Sequence, residues 1–166
     1  MREQAFVEKL HECNQHKKRL VIAKKHLKDI MPLDIQSYSQ LDEVQMSFVD
    51  QMVYRFSKLQ DTMGEKIFKA VLEFGGEDVK RMTFIDRLNR LEELGLLYKD
   101  EWMQLRKLRN EIAYEYSFNQ EEVVENINAV FRKSEDLLII YEEIYNYCKE
   151  KFDFVKNSSL LETINK

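Results

Sequence analysis

The chain has 166 residues, of which 34% are charged and 44% are apolar, and its net charge is −4 at pH 7. This composition excludes a disordered chain, and the mild net charge does not by itself indicate a nucleic-acid partner. Four glycines and one proline are far below the usual share of about 12%. Sheet-rich folds and glycine-rich phosphate loops need many residues with positive or fixed φ, so both are excluded. The length predicts one domain that buries a core without metals or disulfides.

Apolar residues recur with the helical period along most of the chain. They predict helices over about 2–31, 40–74, 84–94, 101–114 and 119–152. Pro32 is expected to end the first helix, and Gly75 with Gly76 to end the second. Gly64 falls inside the second helix at a modest cost in helix propensity.

Polar residues mark where the later helices begin. Thr83 and Asp100 are expected to cap the third and fourth helices, and Gly95 to follow the third. Asn119, with two glutamates just after it, predicts the start of the last helix. The fold class is therefore all-α, an up-and-down four-helix bundle with an additional short helix before the fourth segment.

The predicted domain covers residues 1–152, and residues 153–166 are expected to form a C-terminal tail, loosely held or folded into one more short helix. Cys13 and Cys148 form no C-x-x-C motif, which is typical of a reducing compartment. No signal-peptide core is present, and the longest apolar run, 137–141, is too short to cross a bilayer. A cytoplasmic location without membrane contact is the expectation.

The three histidines all fall on the first predicted helix, as His11, His16 and His26. Their separations are not the i, i+4 spacing that brings two imidazoles to one metal, so no metal site is expected. Stripes of methionine and aromatic residues are interpreted as core, and no cofactor is assigned to them.

A basic stretch over residues 16–28 contains no acidic residue. Five lysines are expected to lie within an arc of about 120°, clear of the apolar stripe: Lys17, Lys18, Lys24, Lys25 and Lys28. Such a face can neutralise RNA phosphates. An ordinary solvated face, or one that matches an acidic partner protein, is the alternative. Residues 119–152 carry eight acidic and four basic side chains, so charge is unevenly distributed.

The string Leu-Arg-Asn-Glu-Ile-Ala-Tyr-Glu-Tyr over residues 108–116 resembles the signature of HEPN domains, in the toxin-like branch encoded with minimal nucleotidyltransferases. That signature is an arginine, four residues, a histidine, one residue and a tyrosine, usually with an asparagine directly after the arginine. Arg109, Asn110 and Tyr116 match it, while Tyr114 stands in the place of the histidine. Residues 84–97 and 54–61 are also similar to the family, and the resemblance covers about 40–145.

The resemblance implies a helical bundle that forms a homodimer, with the motifs of both chains facing a shared cleft. It implies a metal-independent ribonuclease that acts as a toxin and needs no cofactor. It further implies a nucleotidyltransferase antitoxin as partner, which transfers AMP to the tyrosine at the end of the motif, here Tyr116.

RNA cleavage without a metal needs a base, an acid and a cation near the phosphorus. Arg109 suits the cationic role because a guanidinium grips phosphate with two hydrogen bonds. Asn110 can position a phosphate oxygen or the attacking hydroxyl, Tyr114 can donate a hydrogen bond or act as a weak acid, and Arg106 is assigned to RNA binding.

Two other hypotheses remain open. In the first, a catalytically degenerate HEPN dimer serves as a non-enzymatic partner or substrate of a nucleotidyltransferase. It is motivated by Tyr114, since tyrosine with a reference pKa of about 10 is a poor base at neutral pH. In the second, the chain is a helical interaction protein that is neither a toxin nor a partner of a nucleotidyltransferase. Its motif is then a helix end whose tyrosines pack on neighbouring helices.

Overall fold

The computed structural model describes residues 1–112 and 119–162, and within these ranges all regular structure is helical. The helices are α1 (Glu3–Leu27), α2 (Ile35–Ser39), α3 (Glu43–Thr62), α4 (Phe68–Phe74), α5 (Phe84–Glu93), α6 (Lys99–Ile112), α7 (Gln120–Lys151), α8 (Asp153–Lys156) and α9 (Ser159–Glu162). A π-helical turn, Met63–Ile67, joins α3 to α4, and a 3₁₀ turn, Val79–Arg81, precedes α5. The prediction of an all-α fold is confirmed.

The long helices pack as a bundle around one hydrophobic core. Helix α1 lies against α3, and α7 contacts α3, α6 and α1. The largest fully buried side chains come from α1, the α3–α4 segment, α6 and α7, and include Phe6, Phe56, Trp102 and Tyr141. The hydroxyl of Tyr141 donates to Oδ1 of Asn14 at 2.6 Å, so the polar group at the centre of this core is paired.

The predicted caps of the third and last helices are confirmed. The Thr83 side chain accepts a hydrogen bond from the backbone N–H of Asp86, whose carboxylate accepts from the Thr83 N–H. Gly95 has φ +76°, the left-handed conformation that closes a helix without steric cost for glycine. The Asn119 side chain accepts from the backbone N–H of Glu122 at the start of α7.

Two predicted boundaries are wrong. Helix α1 ends at Leu27, several residues before Pro32, because the chain beyond it turns toward α7, where the Asn128 side chain hydrogen-bonds both backbone groups of Leu33 at 2.8 Å. Helix α6 begins at Lys99, so Asp100 lies in its first turn and is not its cap.

The second predicted helix is interrupted inside its range by the π-helical turn. It starts at Glu43, since Asp42 and Gln45 form a reciprocal capping box there. Gly64 lies in the π-helical turn, where the chain passes close to α6. After α7, the short helices α8 and α9 bury Val155 and Leu161 against the bundle.

Candidate functional site

Helix α6 carries the first half of the motif and presents it on an exposed face. The helix buries Trp102, Leu105, Leu108 and Ile112 against the core. Arg106 and Asn110 are exposed, while Arg109 is half-buried on the flank of the helix. The helical period therefore brings the motif's polar residues to one side of α6, beside α3 and α5.

Arg109 forms a bidentate ion pair with Asp61 in the last turn of α3. Its Nε and Nη2 donate to Oδ1 and Oδ2 of Asp61, each at 3.0 Å, and the two side chains are 28% and 33% exposed. A planar guanidinium held by two parallel hydrogen bonds has a fixed orientation. Asp61 thus positions the arginine that the sequence assigned to phosphate binding.

An open cleft of about 440 Å³ lies where the end of α3, the π-helical turn, α5 and α6 meet. Its polar lining includes three arginines and the motif asparagine: Arg87, Arg106, Arg109 and Asn110. Asp61 and Glu65 are the acidic residues of the same lining. Arg106 extends over the ring of Phe84, with its guanidinium carbon 4.7 Å from the ring centroid. The cleft therefore combines cationic groups with an aromatic face, a combination suited to nucleotides.

The structure brings the motif residues Arg109 and Asn110 together with Arg106, which was predicted to bind RNA. Tyr114 and Tyr116, predicted as a catalytic residue and as the site of adenylylation, lie outside the described residues. Asp61 and Arg87 were missed as site residues by sequence reasoning. Asp61 could have been noticed because it is the only acidic residue in segment 54–61, which is similar to the HEPN family.

The five lysines predicted to bind RNA divide into two groups. Lys18, Lys25 and Lys28 are exposed. Lys17 forms an ion pair with Glu142, and Lys24 forms one with Glu135 at 3.0 Å. Both of these partners belong to α7, so the basic face of α1 is partly neutralised by the acidic helix that packs beside it.

The prediction that all five lysines lie clear of the apolar stripe is wrong for Lys24. Its side chain is largely buried, with 9% exposure for the residue, and its ammonium lies 5.2 Å from the ring centroid of Phe131. Lysine can pack its long aliphatic stem along apolar neighbours while the ammonium meets a carboxylate at the edge, which is the arrangement here.

On the same helix, His16 is buried, and its surroundings favour the neutral form. Nη1 of Arg55 donates to its Nδ1 at 2.9 Å, because a guanidinium has no acceptor. Burial lowers the pKa of His16 below its ordinary value of 6.5, and the charges of Arg55 and, more weakly, Lys58 act in the same direction. Glu12, with Oε1 3.7 Å from Nε2, opposes this shift.

We expect the free energy of unfolding to fall as the pH drops below about 6.5. The unfolded chain then binds a proton at His16 that the folded chain does not, so this part of the stability is fully present only above the unfolded pKa. Urea unfolding between about pH 5 and about pH 8 measures how the free energy of unfolding changes with pH. His16→Gln should flatten this dependence; parallel stability curves for the wild type and His16→Gln would contradict the expectation.

In the part of the chain that the structure describes, no group of three or more His, Cys, Asp or Glu side chains is arranged to hold a metal ion. Cys13 and Cys148 are both buried, which raises the pKa of the Cys148 thiol to about 12. Over residues 1–112 and 119–162, every helix is too short or too polar to cross a membrane. Comparisons with protein-family models, curated proteins and solved structures found no match for the chain.

Proposed function

We propose that this chain is the toxin of a HEPN-type toxin–antitoxin pair, an endoribonuclease with the up-and-down four-helix topology of that family. The observation that carries the proposal is the shared cleft: Arg109 and Asn110 of the motif line it together with Arg87 and Arg106. Three guanidinium groups on one open surface suit the phosphates of a single strand of RNA. A second copy of the chain completes the site, and a nucleotidyltransferase antitoxin in the same cytoplasm silences it by adenylylating Tyr116.

The proposed reaction is attack of a ribose 2′-oxygen on the adjacent phosphorus. The P–O2′ bond forms while the P–O5′ bond breaks, which gives a 2′,3′-cyclic phosphate and a 5′-hydroxyl. The 2′-hydroxyl proton leaves to solvent water, which acts as a weak base, and the departing O5′ gains a proton from the Tyr114 hydroxyl, so both protons are accounted for without a metal. Arg109 stabilises the charge that grows on the phosphate oxygens, Asn110 orients one of them, and Tyr114 donates to the leaving oxygen.

Arg109→Ala is expected to lower the rate of RNA cleavage by about 10²–10³-fold, which is the usual effect of removing one preorganised donor from a developing anion. Gel analysis of a labelled single-stranded RNA measures the rate, and growth arrest on expression gives an independent readout. Asp61→Asn should lower the rate less, because the guanidinium stays in the cleft with a weaker anchor.

The matched control is Arg81→Ala, since the Arg81 side chain is 91% exposed and is not part of the cleft. It should cleave RNA at the wild-type rate. Equal rates for Arg109→Ala and the wild type would overturn the role of the motif. Intact RNA and normal growth with the wild-type chain at high expression would overturn the ribonuclease itself.

A second candidate is a catalytically degenerate dimer that serves as partner and substrate of a nucleotidyltransferase. The bidentate Arg109–Asp61 pair favours it, because a carboxylate occupies the guanidinium edge that a phosphate would use. Incubation with a minimal nucleotidyltransferase encoded beside this chain, ATP and magnesium should then add the mass of one AMP group, and Tyr116→Phe should prevent the addition. A lack of both complex and mass gain would reject this candidate.

A further inference from the structure

The cleft beside the motif contains buried polar atoms without partners. Over the described ranges, Oε1 of Gln60, Nε of Arg87 and Nε1 of Trp102 form no hydrogen bond, and all three residues line the cleft. Gln60 is 3% exposed and Trp102 is 1% exposed. A buried donor or acceptor without a partner destabilises a structure, so three such atoms from three helices around one cleft point to a ligand.

The three atoms define which ligand fits. Two of them are donors, the indole N–H and the Nε–H of Arg87, and one is an acceptor, the amide oxygen of Gln60. A matching ligand presents acceptors and a donor together, as the edge of a nucleobase does. The rim adds the guanidinium of Arg106 over Phe84, which can hold a phosphate beside an aromatic face.

Gly64 determines the room available next to the indole. A Cβ at this position would lie 3.3 Å from Cζ2 of Trp102, the ring carbon beside the one that carries the indole nitrogen. The glycine lies in the π-helical turn, a distortion that is frequent at functional sites. A larger residue here would press on the indole edge from which the unpaired N–H is to be reached.

We propose that this cleft is a subsite for one unpaired nucleotide. Its base edge hydrogen-bonds Gln60, Arg87 and Trp102, and its phosphate contacts Arg106. The exposed side chains of Glu65 and Arg106 lie at the rim of the cleft. The cleft volume of about 440 Å³ lies within the range of small-ligand sites. The inference rests on the proposed function in one respect: that function makes the nucleotide part of an RNA strand and not a free mononucleotide.

Trp102 is the only tryptophan of the chain, so its fluorescence reports on this cleft alone. The probes are the four nucleoside 5′-monophosphates, ribose 5-phosphate, and a short single-stranded RNA with 2′-O-methyl groups that prevent cleavage. We expect saturable fluorescence changes with the RNA and with at least one mononucleotide, and none with ribose 5-phosphate, which lacks the base.

Variants of the cleft test the contacts. Gln60→Met removes the acceptor at similar volume, and Gly64→Ala narrows the space beside the indole; each should weaken binding about tenfold or more. Arg87→Lys keeps the charge but lacks the Nε–H, and it replaces Gln60→Met if that chain does not fold. Gln104→Met is the matched control, because Gln104 is exposed on α6 and outside the cleft. Equal weakening in Gln104→Met and Gln60→Met would overturn the subsite.

The outcomes separate the subsite from the ribonuclease. Binding of mononucleotides by a chain that cleaves no RNA would support the subsite and overturn the proposed function. RNA cleavage with unchanged Trp102 fluorescence for every probe would support the function and overturn the subsite. A response to ribose 5-phosphate as strong as to the nucleotides would show that the phosphate alone is bound, which also overturns a base-binding subsite.

Discussion

Replacing Tyr114 with histidine is expected to raise the rate of RNA cleavage by about 10²–10⁴-fold, the usual contribution of general acid–base catalysis. Tyr114 occupies the position at which the HEPN signature has a histidine. A tyrosine with a reference pKa of about 10 is almost entirely protonated at neutral pH, whereas histidine, with a reference pKa of about 6.5, both accepts and donates a proton there. The exchange therefore replaces a weak acid with a side chain that can both accept the 2′-hydroxyl proton and donate a proton to the leaving oxygen.

Initial rates on a labelled single-stranded RNA, measured across the neutral range, test this expectation. The rate of Tyr114→His should change most steeply near the pKa of the new imidazole, while the wild type should show no such step. Tyr98→His is the matched control, because Tyr98 is 71% exposed and precedes the opposite end of α6. No gain in Tyr114→His, or the same gain in Tyr98→His, would contradict a catalytic role for position 114.

Trp102→Ala is expected to lower the free energy of unfolding by about 3–5 kcal/mol, as for large aromatic residues truncated in other cores. The indole packs edge-on to Phe68, with ring centroids 4.5 Å apart, and fills the space beside Gly64. Its removal leaves a cavity at the point where the π-helical turn meets α6. Trp102→Phe should cost less, since most of the apolar contact is retained.

Urea unfolding followed by far-UV circular dichroism measures this loss without the tryptophan signal. Tyr98→Ala, on an exposed aromatic of the same region, should change the stability by no more than about 0.5 kcal/mol. If Trp102→Ala and Tyr98→Ala unfolded at the same urea concentration, the indole would not hold α6 against the bundle.

The local signals of the sequence predicted the helices better than their junctions. Thr83, Gly95 and Asn119 mark boundaries that the structure confirms, because capping depends on residues within one turn. The π-helical turn at 63–67 could not be predicted from local spacing, and the residue beside its Gly64, Trp102, belongs to a helix far along the sequence.

The candidate site was predictable only in part for a similar reason. Arg109 and Asn110 follow from the motif, but Asp61 is 48 residues away in the chain, and only the packing of α3 on α6 brings its carboxylate to the guanidinium. Charge counting predicted a basic surface on α1, yet it could not show that Lys24 turns toward Glu135. The spacing of residues along the chain predicts which face of a helix a side chain lies on. The residue that it contacts there is determined by how the helices pack.

The ion pairs between α1 and α7 have a consequence for how strongly salt would act on the proposed binding of RNA. Each phosphate that a lysine neutralises releases counterions. For single strands, each such contact makes the plot of log affinity against log salt concentration steeper by about −0.7. Lys17 and Lys24 already have carboxylate partners, so only Lys18, Lys25 and Lys28 of the basic face contribute fully. Three contacts give this face a slope of roughly −2, where five would give roughly −3.5.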